Sequence, residues 1–483
     1  MNKTRTTLLL LLFFMLAGNY VNSFAQSYKP AIEWKKFFPA DPRLIIKSGY
    51  LIVPENREKP QGKKIKMPFI FIRRPGQDPK KNISLYSVGG PGYSTIAGID
   101  SIGYEFGYLK FGGTIMFDQR GTKNSFPSLV SPEIDDAIRQ SYRKGLNKDS
   151  LVNLAAKTAR GRFTKAGIDL SCYNTLECAE DINDLRQALG LDSLNLIGLS
   201  YSGGLMLTVA RNHPEAVRTL ILRSPLPGFV NYEEHALVNF NEALEQVFAN
   251  CRADSANRAY LNLKERFHKY FSDISGKKFT INYLEKGSRD SIPVTYDKSD
   301  LLTVIDDMLS GGDARGAPKA MVDIMAGKHA SYIRELLDGY FAGNSAVARG
   351  MRYSVFCSEQ VQFADGRVKQ QQNRILPWLA DYRYNNVNPA ICSCWKVKSE
   401  PVSVKIPVAS SVPAIIVGGD SDPGCSLFYN RLIKRTIPNS QLLIRHNEGH
   451  GSGFKVDGVD YLELFLAHPY QKLVSRSKDL IIE

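Results

Sequence analysis

Residues 196–204 read LIGLSYSGG, an apolar run that ends at Ser200 and continues into two glycines. A helical pattern follows directly, so the stretch is typical of a nucleophile elbow, in which a tight strand-to-helix turn presents a serine. The usual pattern is G-x-S-x-G; Gly198 fits it, and Ser202 stands at the second glycine position. We interpret Ser200 as the nucleophile. Two alternatives stay open: Ser202 as nucleophile, flanked by Ser200 and Gly204, and an ordinary turn before a helix.

An acid for this serine is predicted in the segment VGGDSDP, residues 417–423, which follows an apolar run. An acid after a strand in this part of the chain is placed to orient an imidazole. We prefer Asp422 over Asp420, because an aspartate at the earlier position more often caps such a turn.

The base is predicted in the segment RHNEGHG, residues 445–451. His450 lies between glycines on a loop and is the candidate. His446 alternates with apolar Ile444 and is interpreted as a strand residue. The order Ser200, Asp422, His450 is the chain order of the triads that accompany nucleophile elbows.

An oxyanion site is indicated by SVGGPG, residues 87–92, because a glycine loop lets backbone N–H groups approach a substrate closely. We expect the N–H groups of Gly90 and Tyr201 to bind the oxyanion of a tetrahedral intermediate. The alternative, a phosphate-binding loop, is disfavoured since no Lys-Ser/Thr pair follows.

Short apolar runs without clean alternation suit strands buried on both faces. They alternate with helical patterns, which favours a parallel sheet with crossover helices. The predicted strands are 50–53, 68–72, 83–88, 114–117, 194–199, 219–222, 414–417 and 441–444.

The succession of predicted strands stops after Pro225 and resumes at 412. Between them the pattern is mostly helical, with strand signals only at 279–283 and 292–296. We therefore predict a core built from 26–230 and 376–483, with a helical cap inserted at 231–375.

Residues 1–25 have the pattern of a secretory signal peptide, with a positive start and an apolar run, 8–17, that is too short to span a bilayer comfortably. An uncleaved anchor is the alternative. We expect cleavage near Ala25, a secreted or periplasmic protein, and no stable membrane anchor afterwards.

The whole chain has 483 residues, 43% of them hydrophobic, which excludes a mostly disordered protein. Its formal net charge is +14, but the basic residues are scattered, so we expect no nucleic-acid partner. Of its seven cysteines, Cys392 and Cys394 lack a second pair at zinc spacing, so we expect no structural metal site.

Three motifs together carry a family resemblance: GGPG at 89–92, DQRG at 118–121 and GLSY at 198–201. The chain resembles secreted α/β-hydrolase serine aminopeptidases of the prolyl and tripeptidyl type. The resemblance implies an α/β-hydrolase core with a mostly parallel sheet and an inserted, mostly helical cap. It also implies release of N-terminal residues from peptides with a free N-terminus, through an acyl-enzyme and without a cofactor. We interpret Asp118 and Arg120 as structural residues beside the oxyanion site.

An exopeptidase has to bind a free amino terminus, which calls for a carboxylate in a covered pocket. The resemblance suggests an acid near the junction of cap and core. Glu359 is the first candidate, and Glu233 or Glu234 the next. A solvated surface acid is the alternative for each of them.

The resemblance also identifies 351–359 and 392–395 as the segment that closes the cap, and we predict a disulfide from Cys357 to Cys392 or Cys394. A carboxylesterase or lipase-like hydrolase using the same triad is the alternative function, and a non-catalytic binding module on this fold is a third. The residue preference, the number of residues released and the oligomeric state are left open.

Overall fold

The computed structural model describes residues 28–253, 257–311, 313–344, 346–382 and 387–483. The predicted signal peptide, 1–25, lies outside the described residues, so it stays a prediction. No helix in the described ranges is both long and apolar enough to cross a membrane.

The centre of the protein is a ten-stranded mixed sheet in the order β1-β2-β3-β5-β4-β6-β7-β10-β11-β14. Neighbours from β5 to β11 run parallel, and the pairs at the two edges run antiparallel. The strands are β1 Ala31–Trp34, β2 Ile45–Pro54, β3 Lys64–Arg73, β4 Ile83–Ser87, β5 Thr114–Phe117, β6 Leu194–Leu199, β7 Val217–Arg223, β10 Ala414–Gly419, β11 Ser440–Arg445 and β14 Leu480–Ile482. The carboxyl ends of the parallel strands meet at one edge, which brings distant loops together.

Helices cover this sheet, as the buried central strands require. The inward residues of strands and helices form one large apolar cluster. The helices of this part are α1 Pro132–Lys144, α2 Lys148–Lys165, α3 Thr175–Ala188 and α4 Tyr201–Asn212, and later α12 Pro389–Trp395, α13 Leu427–Thr436 and α14 Tyr461–Ala467, which follows the small hairpin β12 Lys455–Val456 and β13 Val459–Asp460.

The insertion is mostly helical and holds one hairpin, at the two places where the sequence carried strand signals. Its elements are α5 Tyr232–Ala253, α6 Leu263–Asp273, β8 Lys278–Leu284, β9 Ser291–Asp297, α7 Lys298–Ser310, α8 Ala317–Met325, α9 Ala330–Ala342, α10 Arg349–Glu359 and α11 Gly366–Ile375. A second apolar cluster fills most of it.

The two apolar clusters do not divide at the predicted boundary of 375. Helix α10 lies inside the predicted cap range, yet Met351, Tyr353 and Phe356 pack in the core cluster. Conversely, Trp378 and Leu379 pack in the cap cluster. The chain therefore returns to the core once at α10 and leaves it again before α12.

A disulfide joins α10 to α12, between Cys357 and Cys392. The predicted pairing of Cys357 is therefore confirmed with the first of its two candidate partners, and Cys394 is a free thiol. Beside the bond, the buried Trp395 donates a hydrogen bond to Ser354 Oγ at 2.9 Å. These contacts fix the end of the cap segment against the core.

Candidate active site

Ser200 occupies the sharp turn between β6 and α4. Its backbone has φ 59° and ψ −125°, a conformation that L-residues rarely adopt. The turn closes because Gly198 has no side chain: a Cβ there would lie 2.5 Å from the Ser202 carbonyl oxygen. The Ser200 N–H donates to the Arg223 carbonyl at 3.0 Å, which pins the turn to β7. This geometry is the nucleophile elbow that the sequence predicted.

Ser202 has a different role. It is fully buried, its Oγ accepts from the Leu199 N–H at 2.8 Å, and it donates to the Ser87 carbonyl at 2.6 Å. The side chain therefore ties β4 to the elbow from inside the protein. The alternative in which Ser202 is the nucleophile does not fit these contacts.

Asp422 and His450 form a hydrogen-bonded pair at the carboxyl ends of β10 and β11. His450 Nδ1 lies 2.9 Å from Asp422 Oδ2, and Asp422 Oδ1 accepts the N–H groups of Gly424 at 2.9 Å and Cys425 at 2.8 Å. An ionised carboxylate only accepts, so it fixes the neutral imidazole as the Nδ1–H tautomer and leaves Nε2 as the proton acceptor.

The electrostatics of this pair favour its charged form. Burial lowers the pKa of His450, but the charge of Asp422, together with the neighbouring Cys425, outweighs burial and holds that pKa well above its ordinary value. Burial alone would raise the pKa of Asp422. The facing His450 lowers it by more, so the pKa of Asp422 lies below its ordinary value. The carboxylate is thus kept ionised to orient the ring.

The neighbouring candidates pair with each other. His446 Nδ1 lies 2.8 Å from Asp420 Oδ2, and Asn250 of α5 also donates to that oxygen, at 3.4 Å. This second pair links the acid loop to the cap. The arrangement agrees with the sequence-based preference for Asp422 and His450 as the acid and base.

In this structure Ser200 Oγ faces a thiol, at 3.9 Å from Cys425 Sγ. Within the described residues no hydrogen bond joins Ser200 to His450. Bonds of this kind are often long in unliganded enzymes and tighten when substrate binds.

The predicted oxyanion donors lie at the elbow and at the glycine loop after β4. A Cβ at Gly89 would lie 3.0 Å from the Tyr201 nitrogen, so a side chain there would crowd the space beside that N–H. Among the described residues, no hydrogen bond uses the N–H of Gly90 or Tyr201. Both donors are therefore free for a substrate oxygen.

Asp118 and Arg120 are buried and bind protein groups, as expected for structural residues. The Asp118 carboxylate accepts from Ser94 Oγ at 2.7 Å and from the N–H groups of Thr95 at 2.5 Å and Ile96 at 3.0 Å, so it holds the loop that follows the glycines. Burial raises its pKa to about 6. Arg120 donates two bonds of 2.7 Å to Asp181 of α3.

Glu359, the first candidate for binding a substrate amine, is buried and already occupied. Its two oxygens accept from the Thr175 N–H and Oγ1, each at 2.6 Å, and Thr175 Oγ1 lies 2.8 Å from the Tyr201 hydroxyl. Glu359 therefore positions the side chain of Tyr201 through Thr175. Of the other two candidates, Glu234 accepts the Asp365 N–H, and Glu233 is half-buried in the first turn of α5.

The structure brings a different pair of acids to the site, Asp306 and Asp307 near the end of α7. The His450 N–H donates to the Leu309 carbonyl at 2.9 Å, so the last turn of α7 touches the histidine loop. A Cβ at Gly449 would lie 1.9 Å from that oxygen, which explains the glycine. The two acids lie within one helical turn of this contact.

These two acids differ in their surroundings. Asp306 is buried and accepts from Ser310 Oγ at 3.3 Å and the Tyr382 hydroxyl at 3.4 Å. Asp307 is exposed, yet surrounding protein desolvates it and raises its pKa to about 6. No hydrogen bond or ion pair to the Asp307 carboxylate occurs among the described residues. Sequence reasoning missed the pair, although an acid on the apolar face of α7 is a usable signal.

Comparison with known proteins gives two kinds of relative. A tripeptidyl aminopeptidase of Streptomyces coelicolor is 30% identical over 211 residues, which is 41% of this chain and 39% of that protein. The serine protease Hip1 of Mycobacterium bovis is 26% identical over 236 residues, 46% of this chain and 45% of that protein. The alignments thus span less than half the length of these curated relatives.

A solved proline iminopeptidase from Mycobacterium smegmatis aligns over 86% of this chain and 95% of its own, with 12% identity and a TM-score of 0.37. The family model described as alpha/beta hydrolase fold matches residues 113–455, which include Ser200, Asp422 and His450. With its mixed sheet, its elbow and this match, the chain belongs to the α/β hydrolase fold family.

Proposed function

We propose that this protein is a serine aminopeptidase that releases proline-type or short oligopeptide units from the free N-terminus of peptides. The observation that carries the proposal is the open carboxylate of Asp307, on the helix that touches the loop of His450. The tripeptidyl aminopeptidase among the relatives supports the same reading.

The proposed chemistry follows from the geometry of the elbow. Ser200 Oγ attacks the carbonyl carbon, His450 Nε2 takes the proton, and Asp422 stabilises the imidazolium that forms. The N–H groups of Gly90 and Tyr201 bind the oxyanion, and such donors are typically worth about 3 kcal/mol each. His450 then protonates the leaving amine, and water hydrolyses the acyl-enzyme with His450 as base.

The proposed amine subsite uses Asp307, with Asp306 behind it. A desolvated carboxylate with no partner among the described residues gains most when a cation enters, because charge-assisted hydrogen bonds are about twice as strong as neutral ones. Asp307 belongs to a helix of the cap, which suits an ammonium group one or more residues before the scissile bond. The proposal replaces Glu359, whose oxygens are taken by Thr175.

The test is a paired hydrolysis assay. One substrate is a chromogenic Ala-Ala-Pro amide with a free amine, and the other is its N-acetylated twin. Wild type is expected to cleave the free form only, and Ser200→Ala neither. Asp307→Asn is expected to lower kcat/KM for the free form by about tenfold or more, as for the loss of a charged hydrogen bond. The matched control is Asp290→Asn, an exposed acid in the cap hairpin.

Two results would contradict the proposal at different levels. Hydrolysis of simple esters with neither peptide cleaved would make the protein an esterase. Unchanged preference for the free amine in Asp307→Asn, with loss in Glu359→Gln, would return the amine subsite to the acid first suggested by the sequence.

We also propose that the protein is exported. The disulfide between Cys357 and Cys392 supports this, since such bonds persist mainly in oxidising compartments. The leader pattern at 1–25 supports the same conclusion. Processing near Ala25 is checked by N-terminal sequencing of the protein recovered outside the cytoplasm.

A further inference from the structure

A third group stands beside the acid and base of the active site: the thiol of Cys425. It is buried, and its backbone N–H is held by Asp422 Oδ1 at 2.8 Å. Ligand atoms of Asp422, Cys425 and His450 all lie within 4.8 Å of one another. The proposed hydrolysis uses the acid and the base but gives the thiol no task.

The arrangement matches the donor set of a thiophilic metal ion. Zinc prefers thiolate sulfur at about 2.3 Å and imidazole nitrogen at about 2.0–2.1 Å. In a tetrahedral site those bond lengths set the two ligand atoms about 3.6 Å apart, and a ring nitrogen of His450 lies within 4.8 Å of the Cys425 sulfur. Ser200 Oγ, at 3.9 Å from the sulfur, is near enough to serve as a further oxygen ligand.

The outer contacts also fit. Histidines that bind metals usually donate their second ring N–H to a carboxylate, which fixes the tautomer and raises the basicity of the ligand nitrogen. His450 has this partner already, because Nδ1 lies 2.9 Å from Asp422 Oδ2. Nε2 therefore keeps a free lone pair, on a ring that has a nitrogen within 4.8 Å of the Cys425 sulfur.

We propose that a thiophilic divalent cation, with Zn²⁺ as the probe, binds between Cys425 Sγ and His450 Nε2 and reversibly switches the enzyme off. Binding replaces the thiol proton, which passes to solvent, and nothing is oxidised or reduced. The metal takes the lone pair with which His450 would accept the serine proton, so Ser200 cannot be activated. This inhibition is independent of whether the substrate is a peptide or an ester.

The first experiment titrates Zn²⁺ into the full protein in chelator-treated buffer without added thiols. Each variant is measured against its own metal-free rate on whichever substrate it hydrolyses. Cys425→Ser keeps the size of the side chain and removes the soft ligand, so its half-inhibitory concentration is expected to rise at least about tenfold. Cys394→Ser, which changes another free cysteine, is the matched control and is expected to behave as wild type. Equal inhibition of Cys425→Ser and wild type would overturn the proposal, as would no inhibition of wild type.

A second experiment reads binding without catalysis. Co²⁺ is added to Ser200→Ala, and the thiolate-to-cobalt charge-transfer absorption is recorded. The band is expected in Ser200→Ala and absent in the double variant Ser200→Ala/Cys425→Ser. A band that persists without Cys425, or that never forms, would overturn the metal site and leave the proposed hydrolysis untouched.

Discussion

Asp422 meets His450 with one carboxylate oxygen, 2.9 Å from Nδ1, while its other oxygen accepts two backbone N–H groups of its own loop. The loop bonds fix the direction of the carboxylate, and the carboxylate fixes the tautomer of the ring. The acid, its loop and the imidazole therefore form a single rigid unit opposite the elbow.

Replacing the two serines of the elbow separates chemistry from stability. Ser200→Ala is expected to lose at least about a thousandfold in kcat, because the nucleophile is gone. Ser202→Ala is expected to keep hydrolytic activity but to lose about 1–3 kcal/mol of stability, since the Leu199 N–H and the buried Ser87 carbonyl both lose their partner. Thermal unfolding and kcat of both variants are the measurements. A larger activity loss in Ser202→Ala than in Ser200→Ala would indicate that Ser202 is the nucleophile.

The two aspartates of the acid loop offer a matched comparison. Asp422→Asn is expected to lower kcat by about 10³–10⁴, because an amide does not hold the ring in the right tautomer. Asp420→Asn weakens the pair with His446 and is expected to keep kcat within about tenfold. Steady-state kinetics on the chromogenic amide distinguish them. Equal losses would mean that both carboxylates serve the base.

The fall of activity at low pH is expected to follow the protonation of His450. Protonated imidazole cannot accept the serine proton, so activity falls as the pH drops below the pKa of His450. Because Asp422 raises that pKa, the fall is expected above the ordinary value of about 6.5. A profile of kcat/KM from pH 4 to 9 tests this, and in the residual activity of Asp422→Asn the fall is expected to move to lower pH. A flat profile down to pH 4 would contradict the assignment of the base.

Glu400 is a further titrating group, and it affects stability. Burial and the neighbouring Glu359 and Glu177 raise its pKa to about 8. Between the unfolded value of about 4.3 and that pKa, the unfolded chain releases a proton that the folded one keeps, so stability falls by at most about 1.4 kcal/mol per pH unit. Glu400→Gln removes this loss.

Thermal melts across pH check the Glu400 prediction. The variant is expected to gain little over wild type at pH 4 and progressively more toward pH 8. A gain that is the same at both ends of the range would show that packing, rather than ionisation, explains the effect. Asp290→Asn again provides the control, as an exposed acid in the cap hairpin.

The fold and the order of the site residues were open to prediction because their signals are local. The nucleophile elbow requires a strand before Ser200 and a residue without a side chain at position 198. Both requirements can be recognised from residues adjacent in the sequence. The insertion was indicated by a change from strand patterns to helical patterns, and its hairpin by two short strand-like segments. The pairing of Cys357 was predicted only to within two candidates, because Cys392 and Cys394 are too close in sequence to separate.

The remaining features depend on contacts between distant parts of the chain, which no local pattern contains. Glu359 is an acid near the junction, as the sequence suggested, but Thr175, 184 positions away, occupies both of its oxygens. Asp307 comes near the loop of His450 only because the Leu309 carbonyl, on the same helix, accepts the His450 N–H. Composition and spacing thus specify which groups a chain of this family carries. Packing of cap against core selects which of those groups remain unpaired and desolvated, and so free to bind another molecule.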